Sequence, residues 1–153
     1  MRPVPDQDFT VRPATAGDLE GLITLYHHLN PADPVLDRAK AEERFSAILA
    51  RSGMTVFIGF AGDFAAATVT LIVMPNLTRG GASYAVIENI VTHAEHRRRG
   101  YAGAVISHAV EQAWKAGCYK VMLLTGSKNP ATLRFYENCG FTQDKTGYQI
   151  RRQ

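Results

Sequence analysis

Cysteine is scarce in this chain: Cys118 and Cys139 are far apart and outside any C-x-x-C unit, which argues against both a disulfide scaffold and a thiolate zinc site. They read as small hydrophobes in a reducing compartment. Long hydrophobic runs are missing too. The most apolar stretch, Phe64 to Met74, is much too short to cross a bilayer as a helix and holds Thr68 and Thr70. The opening Met1 to Asp8 has one arginine and two prolines but no apolar stretch of the signal-peptide kind. Neither export nor membrane insertion is expected, and a cytoplasmic location is. Charge of one sign is also lacking: 17 Lys and Arg against 14 Asp and Glu leave +3, too little by itself to imply a nucleic-acid partner. No internal repeat, biased segment or domain linker interrupts the chain.

What remains is ordinary globular composition, 46% hydrophobic and 20% charged over 153 residues. One domain, 1–153, is expected, because two enzymatic domains of usual size do not fit.

The pattern predicts a short strand over Phe9 to Arg12. Thr15 and Asp18 then have the spacing of a capping box that opens a helix toward Leu29, with Leu19, Leu22, Ile23, Tyr26 and Leu29 as its apolar stripe. A second helix over Asp37 to Arg51 would bury Ala41, Phe45, Ile48 and Leu49. Thr55 to Phe60 and Phe64 to Met74 read as a hairpin across Ala61-Gly62-Asp63. A strand over Tyr84 to Thr92 leads into a helix from Gly100 to Ala116, whose inward residues are Val105, Ile106, Ala109, Val110 and Ala113. A strand over Tyr119 to Leu124, a short helix over Ala131 to Asn138 and a final strand over Thr142 to Arg151, bent at Gly147, complete the order. The implied fold is α/β of the α+β type, a mixed sheet with helices packed on it.

The segment from Thr92 to Gly103 joins a strand to a helix. The first N–H groups of a helix lack internal partners and suit an anion. Arg97, Arg98 and Arg99 add charge, Gly100 lets the backbone come close to a pyrophosphate, and Ala102 is small enough not to obstruct it. Spacing alone equally allows a solvated basic loop. A dinucleotide fingerprint is a poorer reading, since Gly100-x-x-Gly103 lacks the G-x-G-x-x-G arrangement and no strand-turn-helix unit opens the chain.

This turn resembles motif A of the GCN5-related N-acetyltransferase (GNAT) family, in which Gln or Arg, two variable residues, Gly, one variable residue and Gly or Ala follow one another. Arg97, Gly100 and Ala102 fill those places. A second stretch continues the likeness: Asn129, Tyr136, Gly140 and Phe141 match the family's Asn, its Tyr along the helix and its Gly-Phe. The likeness spans roughly Tyr84 to Phe141. It departs at Thr92, where Val is commoner, and at Thr132, where Ala is; neither change removes a backbone group.

The resemblance implies a mostly antiparallel central sheet flanked by helices and an acetyl-CoA-dependent N-acetyltransferase. Ile90, Val91, Thr92, Arg97, Arg98, Arg99, Gly100, Tyr101, Ala102 and Asn129 would then hold the cosubstrate. Tyr136 becomes the acid for the departing thiolate. Asn129 is either a contact to the pantetheine arm or simply a helix cap. Glu88 interrupts the apolar strand Tyr84 to Val91 and is the first choice of base, with a binding or pairing role as its alternative. Asn89 points to the opposite face unless the strand carries the bulge seen in the family. An oxyanion donor is sought in the backbone near Ile90 and Val91.

No metal site is expected: His27 and His28 are adjacent on a helix, and His93 and His96 have no carboxylate or cysteine cluster beside them. Tyr26 to Pro34 and Pro75 to Ala82 are the expected acceptor walls, for a small-molecule or peptide amine. Val86 to Val91 and Cys118-Tyr119-Lys120 are similar to small glucosamine-phosphate acetyltransferases, except that Asn89 stands where those favour an acid. A homodimer is compatible with the family. An acyl-CoA-binding sensor without turnover is the alternative reading.

Overall fold

The computed structural model describes residues 3–153. Five strands form one sheet in the order β1 (Phe9–Pro13), β2 (Met54–Ala61), β3 (Phe64–Met74), β4 (Ser83–Thr92) and β5 (Cys118–Met122). The first four pair antiparallel, and β5 joins β4 in parallel. This is the expected mixed, mostly antiparallel sheet. The parallel step requires a crossover, supplied by α3 (Tyr101–Lys115).

The helices α1 (Leu19–Leu29) and α2 (Arg38–Ala50) cover one face. Leu19, Leu22, Ala41 and Phe45 meet Val56 and Ile58 there. On the other face, Val105, Ile106, Ala109 and Ala113 of α3 pack on Phe57, Val69, Leu71, Ala85 and Ile87, joined by Phe135 and Tyr136 of α4 (Pro130–Asn138). Each fully buried Ile or Val side chain contributes roughly 1.5–3 kcal/mol of transfer free energy.

Local chemistry sets the boundaries. Arg12 makes a two-point contact with Asp18, at 2.8 and 3.0 Å, and Thr15 and Asp18 form the expected capping box. The box opens a 3-10 turn at Ala16–Asp18, which runs into α1. Asp37 caps α2 by accepting from the Lys40 N–H at 3.2 Å. Gly117, at φ +80°, ends the α3 segment and returns the chain to β5.

Several expectations need correction. The buried line of α1 is Leu19, Leu22 and Leu25, whereas Ile23 is 38% exposed. In α2, Leu49 is likewise 39% exposed: the buried line there is Ala41 and Phe45, narrower than the apolar pattern. No strand forms over 142–151. A strand needs a buried face to fix its register, and this stretch offers only Tyr148 and Ile150 among polar neighbours; both stay at least 90% exposed. Gly147 instead lies against Leu124, where an added Cβ would come within 2.8 Å of Cδ2.

Candidate active site

In β4, Thr70 of β3 faces Glu88, but Thr68 faces Val91, so β4 carries an extra residue between these pairs. Asn89 takes a left-handed φ of +52° at that place. This is a bulge, and it breaks the alternation of the strand. Glu88 and Asn89 are consequently both exposed. The bulge coincides with a parting of strands: β5 pairs with β4 only as far as Val86↔Met122, leaving Ile87 to Thr92 without a ladder on that side.

A cleft of about 240 Å³ opens where the strands part. Leu29 and Asn30 from the end of α1 form one wall, the bulge from Ile87 to Ile90 another, and Leu124, Thr125, Gly126 and Tyr136 the far side. The two residues singled out for chemistry, Glu88 and Tyr136, thus line one cleft. Burial of its ring, with Cys139 nearby, pushes the Tyr136 phenol above its ordinary pKa, so it keeps its proton well past neutrality. Of the expected acceptor walls, Leu29 and Asn30 reach this cleft and the 75–82 loop does not line it.

The strand continues past the cleft into the arginine turn. Val91 is buried and Thr92 half-buried. The Thr92 carbonyl accepts from Arg97 Nε at 3.4 Å, so the Arg97 side chain folds back across the turn. Arg98 and Gly100 are both left-handed, at φ +62° and +80°. Gly100 is the N-cap of α3, whose first helical bond runs from the Ala104 N–H to the Gly100 carbonyl. The N–H groups of Tyr101, Ala102 and Gly103 therefore precede the helix's own ladder. No side chain caps them and no acid lies in the first turn.

These features fit the anionic end of a nucleotide cosubstrate. All three arginines are exposed, and a Cβ added at Gly103 would meet nothing within 4 Å. Beside the turn, His96 Nδ1 is buried with no hydrogen-bond partner among the described residues.

Three expectations change in detail. The Tyr101 side chain turns inward and is 2% exposed, so only its backbone faces the turn. Gly100 is required before any ligand arrives, since an added Cβ would collide with the Pro3 carbonyl oxygen and its φ is left-handed. Asn129 caps α4, its Oδ1 accepting from the Ala131 N–H at 3.0 Å, so this residue has a structural role whether or not it also meets the cosubstrate. Sequence reading also missed a ring cluster: His28 packs on His93 at 4.1 Å between centroids, and His96 stacks on Phe64 at 4.7 Å. Only the folded placement of α1 brings His28 there. Desolvation and the neighbouring His93 lower its pKa.

The model of the Acetyltransferase (GNAT) family matches residues 22–141, which takes in most of α1, the bulged strand, the turn and α4. The chain belongs to the GNAT family. A putative acetyltransferase from Agrobacterium tumefaciens str. C58 is 51% identical, with a TM-score of 0.91 over 94% of this chain and 99% of that one. A glucosamine 6-phosphate N-acetyltransferase from Trypanosoma brucei brucei is 30% identical over 136 residues, 88% of this chain and 89% of its own length. Glucosamine 6-phosphate N-acetyltransferase 1 from Oryza sativa subsp. japonica is 30% identical over 143 residues, covering 88% of this chain and 82% of its own. This GNAT protein is an acetyltransferase that takes its acetyl group from acetyl-CoA and moves it to an amine.

Proposed function

We propose that this GNAT enzyme acetylates the amine of an amino sugar in the cleft between the β4 bulge and α4. The observation that carries this reading is the cleft lining: among the described residues Glu88 is its one carboxylic side chain, set among the hydrogen-bonding side chains of Asn30, Asn89 and Thr125. A carboxylate attracts an ammonium group, and amides and hydroxyls suit a carrier rich in hydroxyls. The relatives named for glucosamine 6-phosphate support the same acceptor class. Among the described residues no Lys or Arg lines the cleft, and the reading therefore extends to the amino sugar and not to its phosphate.

When bound, acetyl-CoA supplies an acetyl group activated as a thioester. The backbone of Tyr101 to Gly103, with Arg98 and Arg99, would hold its phosphates, and the open edge of β4 from Ile87 to Thr92 would take its arm. Glu88 receives the proton that the acceptor's ammonium must lose, directly or through one water, at a carboxylate oxygen. Backbone N–H groups at the bulge, near Ile90 and Val91, serve the developing oxyanion. Tyr136 holds a proton on its phenol oxygen through neutral pH, as a donor to a leaving anion must.

Thiol release from acetyl-CoA, followed over glucosamine, glucosamine 6-phosphate, an amino acid, a polyamine and a peptide, tests the assignment. Release with the amino sugars, and no dependence on the phosphate, is expected. Release confined to the peptide, the amino acid or the polyamine contradicts it.

A further inference from the structure

The segment ahead of β1 is drawn across the arginine turn, although nothing in its sequence announces a role there. At Gly100, the space an L side chain would occupy is filled by the Pro3 carbonyl, with Pro5 Cδ 3.4 Å away from an added Cβ. One residue on, Tyr101 is buried with its ring stacked on Phe9, centroids 4.2 Å apart and planes 4° from parallel, and with the His96 ring on its other contact at 6.1 Å. Its hydroxyl donates to Asp6 Oδ2 at 3.2 Å. Asp6 is itself fixed to the start of the sheet, since its carbonyl accepts from the Phe9 N–H at 3.0 Å, and Asp8 receives the Gly62 N–H at 3.3 Å.

The turn needs an external hold. Arg98 is a non-glycine residue in left-handed conformation, which costs roughly 1–2 kcal/mol, and it stands between two more arginines of like charge. Left alone, such a turn samples other shapes, and a ligand that needs one of them pays for the selection in affinity. The strap touches the two residues at the hinge between turn and helix, Gly100 and Tyr101, and none of its residues lines the cleft.

We propose that Pro3 to Asp8 is a strap that holds the turn in its binding shape, with Asp6 and Tyr101 as the positioning pair for acetyl-CoA. The proposal rests on the reading that this turn holds the cosubstrate phosphates. A pair that acts on the shape of the turn changes the KM for acetyl-CoA and leaves kcat and the acceptor KM where they are. A merely structural role moves thermal stability without that split.

The test titrates CoA into the full chain and into Asp6→Ala, Tyr101→Phe, the double variant and Asp6→Asn, with the three kinetic constants measured on each. Tyr101→Phe keeps the buried ring, so the fold is retained. Each single variant should weaken CoA binding roughly threefold to tenfold, the range of one hydrogen bond, and the double variant no further. Asp6→Asn, which keeps an acceptor oxygen, should restore most of the affinity. Wild-type affinity in both single variants, tighter binding, or equal loss in kcat overturns the strap. The double substitution Arg98→Ala with Arg99→Ala, titrated alongside, separates the two ideas. If it abolishes binding while the strap variants bind normally, the strap alone is wrong; if it binds as wild type does, the turn reading fails and the strap falls with it.

Discussion

Two helix starts flank the site, and they are finished differently. At α4 the chain closes its own end: Asn129 accepts from the Ala131 N–H, and Pro130 stands at the first position, where no donor is wanted. At α3 the cap residue is a left-handed glycine, no side chain accepts from the first turn, and the three residues before it are arginines. The front of the chain behaves like α4, with a capping box at Thr15 and Asp18 and a capping Asp37. Donors left unsatisfied at a helix end otherwise cost about 0.5–2 kcal/mol relative to a capped one. The contrast is that α3 forgoes this stabilisation and α4 does not, and the proposed seat for an anionic cosubstrate at α3 accounts for it.

The sharpest way to break the comparison is to cap α3. Ala102→Asp would place a carboxylate in its first turn, where it should raise stability by about 0.5–1 kcal/mol through the helix dipole while repelling the cosubstrate. CoA affinity by titration should fall by roughly tenfold to a hundredfold as the melting temperature holds or rises. Loss of stability together with affinity would mean that the turn is simply damaged. Tyr136→Phe probes the cleft rather than the turn. It should lower kcat by roughly tenfold or more, with the KM for acetyl-CoA within a factor of a few, as steady-state kinetics will read. Equal kcat in the two proteins removes the phenol from the reaction.

The reverse experiment is made at α4. Asn129→Ala should destabilise by about 1 kcal/mol in denaturant unfolding and leave CoA affinity within about twofold, and Asn129→Asp should retain the cap. A large loss of CoA affinity in Asn129→Ala would assign the cosubstrate contact to this residue as well. The smallest effect belongs to the capping box. Arg12 and the Thr15 hydroxyl and N–H hold the Asp18 carboxyl down to about 2, from 3.8. Because the folded value is the lower one, the stabilisation is present above about pH 4 and is lost as pH falls toward 2. With Arg12 partly in solvent it amounts to about 1–2 kcal/mol, and Asp18→Asn should flatten unfolding free energy over that window.

The sheet, its hairpin and three of the four helices were legible because each rests on local signals: the Thr15 and Asp18 box, Gly62 between two apolar strands, Gly117 after a periodic run. The fourth, α4, was legible through Asn129-Pro130. The edge of the buried stripe of α1 was not, since Ile23 and Leu25 are both strongly apolar and the packed sheet takes Leu25. The final strand failed for a related reason: Tyr148 and Ile150 alternate correctly, but a strand forms only where a partner edge takes it, and no local residue encodes that. At the site, Glu88 and Tyr136 were found separately and the cleft joins them. The Asn89 bulge required a resemblance, because any strand residue can be left-handed only if its neighbours compel it. That the Tyr101 side chain turns inward was not legible, because its contacts are with Phe9 and Asp6, more than ninety residues earlier. His28 against His93 is equally non-local.

The most direct test of the contrast records both helix starts in one spectrum. Amide resonances of the full chain are followed by NMR as CoA is added. The account predicts that the largest shifts fall on Tyr101, Ala102 and Gly103, with the α4 amides at Ala131 and Thr132 moving far less. Shifts concentrated at Ala131 and Thr132, with the α3 start unmoved at saturation, would contradict it.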